Sequence, residues 1–555
     1  MCGIWAVFGY DTTDLQKFLI ANSKLSHRGP DTWRIENNCY LKNVCLGFHR
    51  LVINGLCGMQ PMRLKSYPHL WLVCNGEIYN YVKLGKENSF QYETECDVEV
   101  ILHMYAKGGI DFCCSQLDGV FAFSLLDTEK KKVYIARDTF GVRPIFKLNN
   151  INGFLGVSSE AKGLIDFSNV MDGNAKMDPI SPGIIEEYDV LDFGKVKFKN
   201  KIKFHKIGDK PIYNPFVPWE DLQVSSTKEN IKKLLKAAVK KRLMAERRIG
   251  CLLSGGLDSS LVSALLLQLA KEENISYPIQ TFSIGMTDSP DVLAARKVAK
   301  HIGSEHHEVI FTPEEATEAI EKVIYHLESY DITTVRASIG MYLVSKYIAE
   351  HTDTTVLFSG EGADELAQGY IYFRDAPSSA AGDEESHRLL NDLFYFDVLR
   401  ADRTTAAHGL ELRVPFLDHQ FTSFYLGLPA DMRQPQKGIE KHLIREAFSD
   451  TDLLPEEILW RHKEAFSDGV ASKEKSLFIY IQEFVENLVN DSTFKNAASI
   501  YPHNTPKTKE AFYYRQVFER TFPNQSHWIP YYWLPRWTTI TDPSARYLTH
   551  YAAEA

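Results

Sequence analysis

Hydrophobic and polar positions alternate in short runs over the first 205 residues, then recur at helical spacing from about residue 227, so the chain changes architecture part-way along. Residues 44–50, 70–74, 120–126, 133–136, 154–157 and 184–188 are short, apolar or alternating, and bounded by Gly, Asn, Asp and Pro, which predicts strands. Two helical stretches interrupt them. Residues 97–107 place Val98, Ile101, Leu102 and Tyr105 on one face, with Gly108-Gly109 as the expected stop, and 14–25 repeat the pattern less clearly. Packed antiparallel sheets with a few helices outside are expected for this half.

Residues 206–226 are Pro-rich and aperiodic, which suits a linker. Beyond them, 227–248 carry Ile231, Leu234, Leu235, Ala238 and Leu243 at helical spacing. Strand-like runs at 249–253, 279–285, 308–311 and 355–358 follow, separated by helical stretches that include 261–269 and 291–302. This alternation predicts a parallel sheet wound with helices, whose ligands bind beyond the strand C-termini. Residues 376–386 are small, polar and acidic and read as a mobile surface loop. Residues 389–537 read as largely helical, and the last dozen or so as poorly ordered. No internal repeat is present.

The first parallel strand runs into Ser254-Gly255-Gly256-Leu257-Asp258-Ser259-Ser260, a glycine turn opening a helix. Free backbone N–H groups and the positive end of the helix dipole suit phosphate there, and residues without bulk let it approach. The loop lacks the lysine of the G-x-x-x-x-G-K-[ST] pattern, so it is not an ordinary kinase or GTPase loop. A second glycine turn, Ser359-Gly360-Glu361-Gly362-Ala363-Asp364-Glu365, follows residues 355–358.

Composition narrows the class. The chain has 555 residues, enough for two or more domains; 44% are hydrophobic and 24% charged, ordinary for a globular protein. A net charge of −10 argues against a general nucleic-acid binder. The nine cysteines are an odd number without a C-x-x-C pair, which points to a reducing, cytoplasmic compartment rather than a disulfide scaffold. No signal peptide, lipidation motif or apolar run of membrane-spanning length is apparent, so no membrane attachment is expected. His306-His307 suggests a metal pair, but consecutive strand residues face opposite ways. Lys240-Lys241-Arg242 with Arg247-Arg248 reads as the solvated face of the 227–248 helix.

Cys2 directly follows Met1. Once that methionine is removed, one residue supplies a thiol nucleophile and an α-amine base, with reference pKa values near 8.5 and 8. Met1-Cys2-Gly3-Ile4, His27-Arg28-Gly29-Pro30-Asp31, Gly47-Phe48-His49-Arg50-Leu51 and Asn75-Gly76-Glu77-Ile78-Tyr79-Asn80 resemble the class II glutamine amidotransferases. The resemblance implies an N-terminal-nucleophile αββα sandwich. It also implies that Cys2 attacks the glutamine amide while Asn75 and the Gly76 N–H receive the oxyanion. Arg50 would pair with the glutamine carboxylate, and Glu77 with Asp97 would hold its ammonium. Leu51, Val52, Ile53 and Asn54 complete that pocket. The family usually has an aspartate before the glycine-rich turn, whereas this chain reads Val52-Ile53-Asn54-Gly55 and is one residue shorter.

The SGGLDSS string resembles the pyrophosphate loop of enzymes that split ATP to AMP. The second half, through 331–338, 359–365, Arg400-Ala401-Asp402-Arg403, 412–418 and 463–469, resembles the asparagine synthetase family. That implies an α/β domain with a parallel sheet and additional helices over 227–540, joined by the 206–226 linker to a glutaminase domain over 1–205, with a 541–555 tail. By resemblance ATP would contact Leu253, Ser254, Gly255, Gly256, Asp258, Ser259, Ser260, Ile284, Ser359 and Gly360. Aspartate would be read near Thr333, Thr334 and Arg336. Lys463 would stabilise charge at the phosphorus, and Glu361 would support intermediate formation or take a proton from the incoming ammonium. Mg²⁺ is expected at Asp258 or Asp364, and a homodimer is a family expectation. Competing readings are a synthetase that amidates another carboxylate, a phosphoribosyl amidotransferase (which should lack SGGLDSS), and a catalytically retired regulatory relative.

Overall fold

Most of the strand-like runs of the first half are buried on both faces. In the computed structural model, which describes residues 1–555 apart from Asp14, 38–40, Leu56, 172–174, 214–223, 464–468, 473–474, Thr541 and 545–555, eleven strands build two sheets there. They are β1 (Gly3–Phe8), β2 (Thr32–Asn37), β3 (Val44–Arg50), β4 (Leu70–Ile78), β5 (Gly119–Asp127), β6 (Lys132–Arg137), β7 (Phe146–Asn150), β8 (Leu155–Ser158), β9 (Ala175–Pro179), β10 (Ile184–Val190) and β11 (Val196–Lys203). The antiparallel orders are β2-β3-β1-β8-β7-β9 and β11-β10-β6-β5-β4.

On β4, Trp71 and Val73 pack with Ile4, Ala6, Leu46 and Phe48 from the other sheet, while Leu70, Leu72 and Cys74 pack with Ile101, Leu102 and Tyr105 of the helix Glu99–Gln116. Outside the six-stranded sheet, Trp5 meets Phe18 and Phe167 at 5.6 and 6.1 Å between ring centroids. The layers are therefore helix, sheet, sheet, helix. The expected stop at Gly108-Gly109 is a kink. Gly109 takes φ +81°, and the helix resumes because Ile110, Cys113 and Cys114 continue its buried face.

A third sheet is wholly parallel, in the order β14-β13-β12-β15-β16, from β12 (Arg248–Leu252), β13 (Gln280–Gly285), β14 (Glu305–Ile310), β15 (Thr354–Phe358) and β16 (Glu411–Arg413). The helix before it spans Val224–Lys241 and ends earlier than its periodicity predicts. The basic run there is only in part a solvated face, since Lys240 and Arg247 are well exposed while Lys241 and Arg242 turn inward. Arg242 is buried, and it and Lys241 both pair with buried Asp418, at 2.9 and 2.7 Å. Part of the predicted linker, 214–223, lies outside the described residues.

The predicted 376–386 loop is instead the start of the helix Ser379–Asp392. Ser378 caps it through Ala381 N, and Glu385 is buried against Arg388, Arg536 and Tyr372. Those partners let an acidic stretch fold inward. His306 bonds Thr281 and Ser283 while His307 stacks on Phe282, so the two histidines do face apart.

Packing divides the chain into two units. The first is Met1–Pro215 with Met244–Arg247 and Ala406–Leu410; the second is Phe216–Leu243, Arg248–Thr405 and Glu411–Ala555.

Candidate functional site

The amidotransferase-like residues gather where β1 begins and β4 ends. The Cys2 backbone nitrogen donates to Asn75 Oδ1 at 2.9 Å, and Cys2 Sγ lies 3.7 Å from Leu51 O. Asn75 is fully buried, and its Nδ2 has no hydrogen-bond partner among the described residues. An unpaired buried donor costs about 1–3 kcal/mol, so this amide is poised for an acceptor brought by a ligand. Gly76 follows on the edge strand; a Cβ there would meet Val120 O at 2.4 Å, so only glycine keeps β4 in register with β5.

The loop after β3 wraps the buried Arg50 guanidinium, which donates to Gly55 O. Val52 N donates to Asp31 Oδ2 at 2.7 Å, and Arg247 Nε donates to Val52 O at 3.0 Å. Glu246 N donates to Ile53 O at 2.9 Å, and Gly55 N donates to Glu246 Oε1 at 3.2 Å. Asn54 Nδ2 donates to Glu77 Oε2 at 2.7 Å, a contact that a carboxylate at 54 would turn into repulsion. Asp97 Oδ2 accepts from Ile78 N at 2.6 Å. Burial, followed by Asp97, pushes the Cys74 and Cys96 thiols well up, so these neighbours stay protonated.

Sequence reading gave Arg28 no role and missed Glu160. Arg28 Nε donates to Cys2 O at 3.0 Å and Nη1 to Glu160 Oε1 at 2.6 Å. Both are buried, and Glu160 also holds Lys162 and, at 3.0 Å, His27. The Cys2 main chain is thus fixed from both sides, by Asn75 at its nitrogen and Arg28 at its carbonyl.

The synthetase-like residues gather at the C-terminal ends of β12 and β15. Gly255 takes φ +75°, and a Cβ there would sit 2.4 Å from Ala295 N. Gly256 caps the helix Leu257–Glu272 without a side-chain bond, which leaves the helix N-terminus facing the cavity. Ser254 and Ser259 hydroxyls meet at 3.0 Å across the turn. A Cβ on Gly360 would meet Ser259 N at 2.8 Å, so the two glycine turns lie against each other. Leu253, Ser254, Gly256, Asp258, Ser259, Ile284, Ser359 and Gly360 line the cavity, whereas Gly255 and Ser260 only shape the loop, with Ser260 buried beneath it.

Lys441, absent from the sequence reading, sits in the middle. It is buried, takes φ +56°, and donates to Asp258 Oδ2 and Asp364 Oδ1, both at 2.5 Å. No motif announces it. Lys463 Nζ donates to the other Asp364 oxygen at 2.7 Å; the remainder of its motif, 464–468, lies outside the described residues. Burial alone would raise Asp364, but the two lysines outweigh it and hold the carboxyl well below its usual range. Burial also opposes the Lys463 charge, and Asp364, then Asp258, keep it an ammonium. Burial pushes Glu361 up to about 7, against Arg400 at 2.7 Å and with Asp397 and Asp364 adding to the rise.

A second cavity adjoins these groups. Glu361, Asp364, Arg400 and Lys463 line both it and the loop cavity. Its other walls include Thr333, Thr334, Glu365, Tyr370, Asp397 and Trp533. Tyr370 OH donates to Glu365 Oε1 at 2.6 Å and to Asp397 Oδ2 at 3.1 Å. Burial and the adjacent Asp397 push the Glu365 carboxyl well above its usual range.

Arg336 departs from its predicted place. Its guanidinium is buried between Glu510, at 2.7 and 2.6 Å, and Asp542, at 2.8 and 2.9 Å, and it lines neither cavity. Two carboxylates saturate it, so it has no fork left for a substrate.

Among the described residues no group of three or more His, Cys, Asp or Glu is arranged to hold a metal. Asp258 Oδ1 is nevertheless buried with no partner among the described residues, and Asp258 lines the loop cavity. One open carboxylate oxygen beside an open helix N-terminus fits Mg²⁺, which takes one or two carboxylates and completes its shell with phosphate and water.

A family model described as asparagine synthase matches residues 230–386 and 375–549, and one described as glutamine amidotransferase domain matches 1–182. The chain is 57% identical to a Bos taurus protein named asparagine synthetase [glutamine-hydrolyzing] over 560 residues, covering 100% of both chains. Proteins of the same name from Gallus gallus and Homo sapiens are 58% and 57% identical, each over 99% of both chains.

Proposed function

The chain belongs to the glutamine-hydrolysing asparagine synthetases, and from that premise we propose how its own residues divide the work of making asparagine from aspartate, ATP and glutamine. The observation that carries the synthetase half is the quartet Glu361, Asp364, Arg400 and Lys463, which borders both the loop cavity and the acceptor cavity. A carboxylate held in one meets a phosphate held in the other at these groups.

Residues 1–205 act as the glutaminase and 227–540 as the synthetase, with 206–226 linking them and 541–555 as the tail. With Met1 removed, Cys2 Sγ attacks the glutamine amide carbon and passes its proton to its own α-amine. Asn75 Nδ2 and the Gly76 N–H receive the oxyanion. Arg50 pairs with the glutamine carboxylate, and Glu77 and Asp97 with its ammonium. The α-ammonium returns that proton to the leaving nitrogen as the C–N bond breaks, ammonia departs, and water cleaves the thioester to glutamate.

In the second unit an aspartate β-carboxylate oxygen attacks the α-phosphorus of ATP, and the bond from that phosphorus to the bridging oxygen breaks, releasing pyrophosphate. Lys463 stabilises the charge developing there, and the loop N–H groups with Lys441 hold the departing phosphates. Asp258, with Asp364, would hold Mg²⁺, which would supply further neutralisation of phosphate charge. Ammonia then attacks the acyl carbon, AMP leaves, and Glu361 takes the surplus proton, a task for which its position near pH 7 suits it. The enzyme works in the cytoplasm as a homodimer.

Asparagine formation measured with glutamine or with ammonia tests this division. Cys2→Ala should lose the glutamine-dependent reaction and keep the ammonia-dependent one. Lys463→Ala should lose AMP and pyrophosphate formation and keep glutaminase activity. Parallel loss of both activities in either variant refutes it.

A further inference from the structure

Residues 529–540 form neither helix nor strand, yet they run against the acceptor cavity. Their course is set by side chains elsewhere in the same unit. Trp533 N donates to Asp331 Oδ1 at 2.8 Å, and Trp533 O accepts from Thr333 Oγ1 at 2.9 Å. The start of the helix Ile332–His351 therefore satisfies both main-chain groups of one residue. Tyr531 OH bonds Arg388 and Asp392, and Arg536 Nη1 reaches Glu385 Oε2 at 3.0 Å. Arg336 holds Asp542 at the far end.

Between these anchors the Trp533 ring lies 5.2 Å from Tyr370, whose hydroxyl bonds the Glu365–Asp397 pair. Trp533, Pro535 and Pro543 share the cavity's lining with Glu361, Asp397 and Arg400. A wide ring in the same lining as the carboxylate-handling groups would limit how long an acceptor can be.

We propose that Trp533 is a specificity-determining residue that fixes the length of the acceptor dicarboxylate, and that Asp331, Thr333 and Arg336 are positioning residues acting through residues 529–540 and 542–544. The proposal rests on the reading above that this cavity takes aspartate. It gives the 331–336 stretch a role its side chains can fill, since Arg336 is saturated by Glu510 and Asp542.

The test measures pyrophosphate release by the full-length enzyme with aspartate and with glutamate, which is one methylene longer. One methylene in a fitted pocket is discriminated about 10–200-fold. Trp533→Ala should raise the aspartate KM about tenfold and lower the aspartate-to-glutamate ratio of kcat/KM by about tenfold, with the ATP KM within about twofold. Asp542→Ala, which leaves Arg336 paired with Glu510, should move the same ratio in the same direction by a smaller factor. If Trp533→Ala does not fold, Trp533→Leu and Asp542→Ala carry the prediction. An unchanged ratio, or equal rises in the aspartate and ATP KM values, overturns the proposal. Wild-type enzyme that releases no pyrophosphate with aspartate overturns instead the reading on which it rests.

Discussion

Replacing Asn75 with alanine isolates one donor. Its Oδ1 is occupied by the Cys2 nitrogen at 2.9 Å, while its Nδ2 is buried with no partner among the described residues. The amide is wholly shielded from solvent, so a hydrogen bond to a developing oxyanion would act at nearly full strength. Loss of one such donor is worth about 2.7–4 kcal/mol, or about 10²–10³ in kcat. The reading predicts that fall in kcat for glutamine hydrolysis, with little change in KM and with ammonia-dependent asparagine formation within about twofold of wild type. Asn75→Asp separates two explanations, because its carboxylate still accepts from Cys2 N but offers no donor and repels the oxyanion. If the donor matters, aspartate is at least as damaging as alanine. If anchoring Cys2 matters, aspartate restores most of the rate. A loss below about fivefold for alanine, or rescue by aspartate, refutes the oxyanion assignment.

Other expectations concern the second unit. Glu361 binds its proton more tightly in the fold, at about 7 against an ordinary 4.5, so its contribution to stability is complete below pH 4.5 and lost as pH rises through 7. At about 1.4 kcal/mol per tenfold change in proton affinity the ceiling is about 3 kcal/mol, and 19% side-chain exposure brings the effect below it. Glu361→Gln should therefore flatten the fall in the synthetase unit's thermal midpoint between pH 5 and 7; an identical pH slope in the two proteins would count against the burial. Gly369→Ala would push a Cβ to 2.1 Å from both Asp364 Oδ1 and Lys441 Cε. Overpacking of this kind costs about 1–3 kcal/mol. Adenylation should fall sharply while glutaminase turnover is unchanged, and unimpaired pyrophosphate release would show the lysine–aspartate cluster to be dispensable.

What was legible in the chain follows from the range of each interaction. Strands β3, β5, β6 and β10 and the helix Pro290–Ile302 lie within a residue or two of their patterns, because burial on defined faces is written in neighbouring residues. β11, Val-Lys-Phe-Lys-Asn-Lys-Ile-Lys, escaped notice because it is an exposed edge whose lysines suit solvent better than a core. Arg336 was visible as part of a motif, but its direction was not. Its partners lie 174 and 206 positions away, and only the folded chain shows that they capture it. Lys441 is the extreme case. It faces aspartates 183 and 77 positions distant, from a backbone conformation no local pattern demands of a lysine. Glu160 under Cys2 was hidden for the same reason, being 132 positions from Arg28.

The arrangement of Lys441 and Lys463 between Asp258 and Asp364 has a bearing on which anions the site admits. At rest the two ammonium and two carboxylate groups sum to zero, so the cleft does not present a bare positive field. A lone phosphate or chloride would have to strip a lysine from a buried carboxylate and leave that carboxylate unmatched. Only a guest that carries compensating positive charge along with its phosphates can exchange partners without stranding an aspartate. On this reading the lysines would change allegiance rather than location during turnover, and a lone anion should bind far more weakly than a phosphate that brings its own counter-charge.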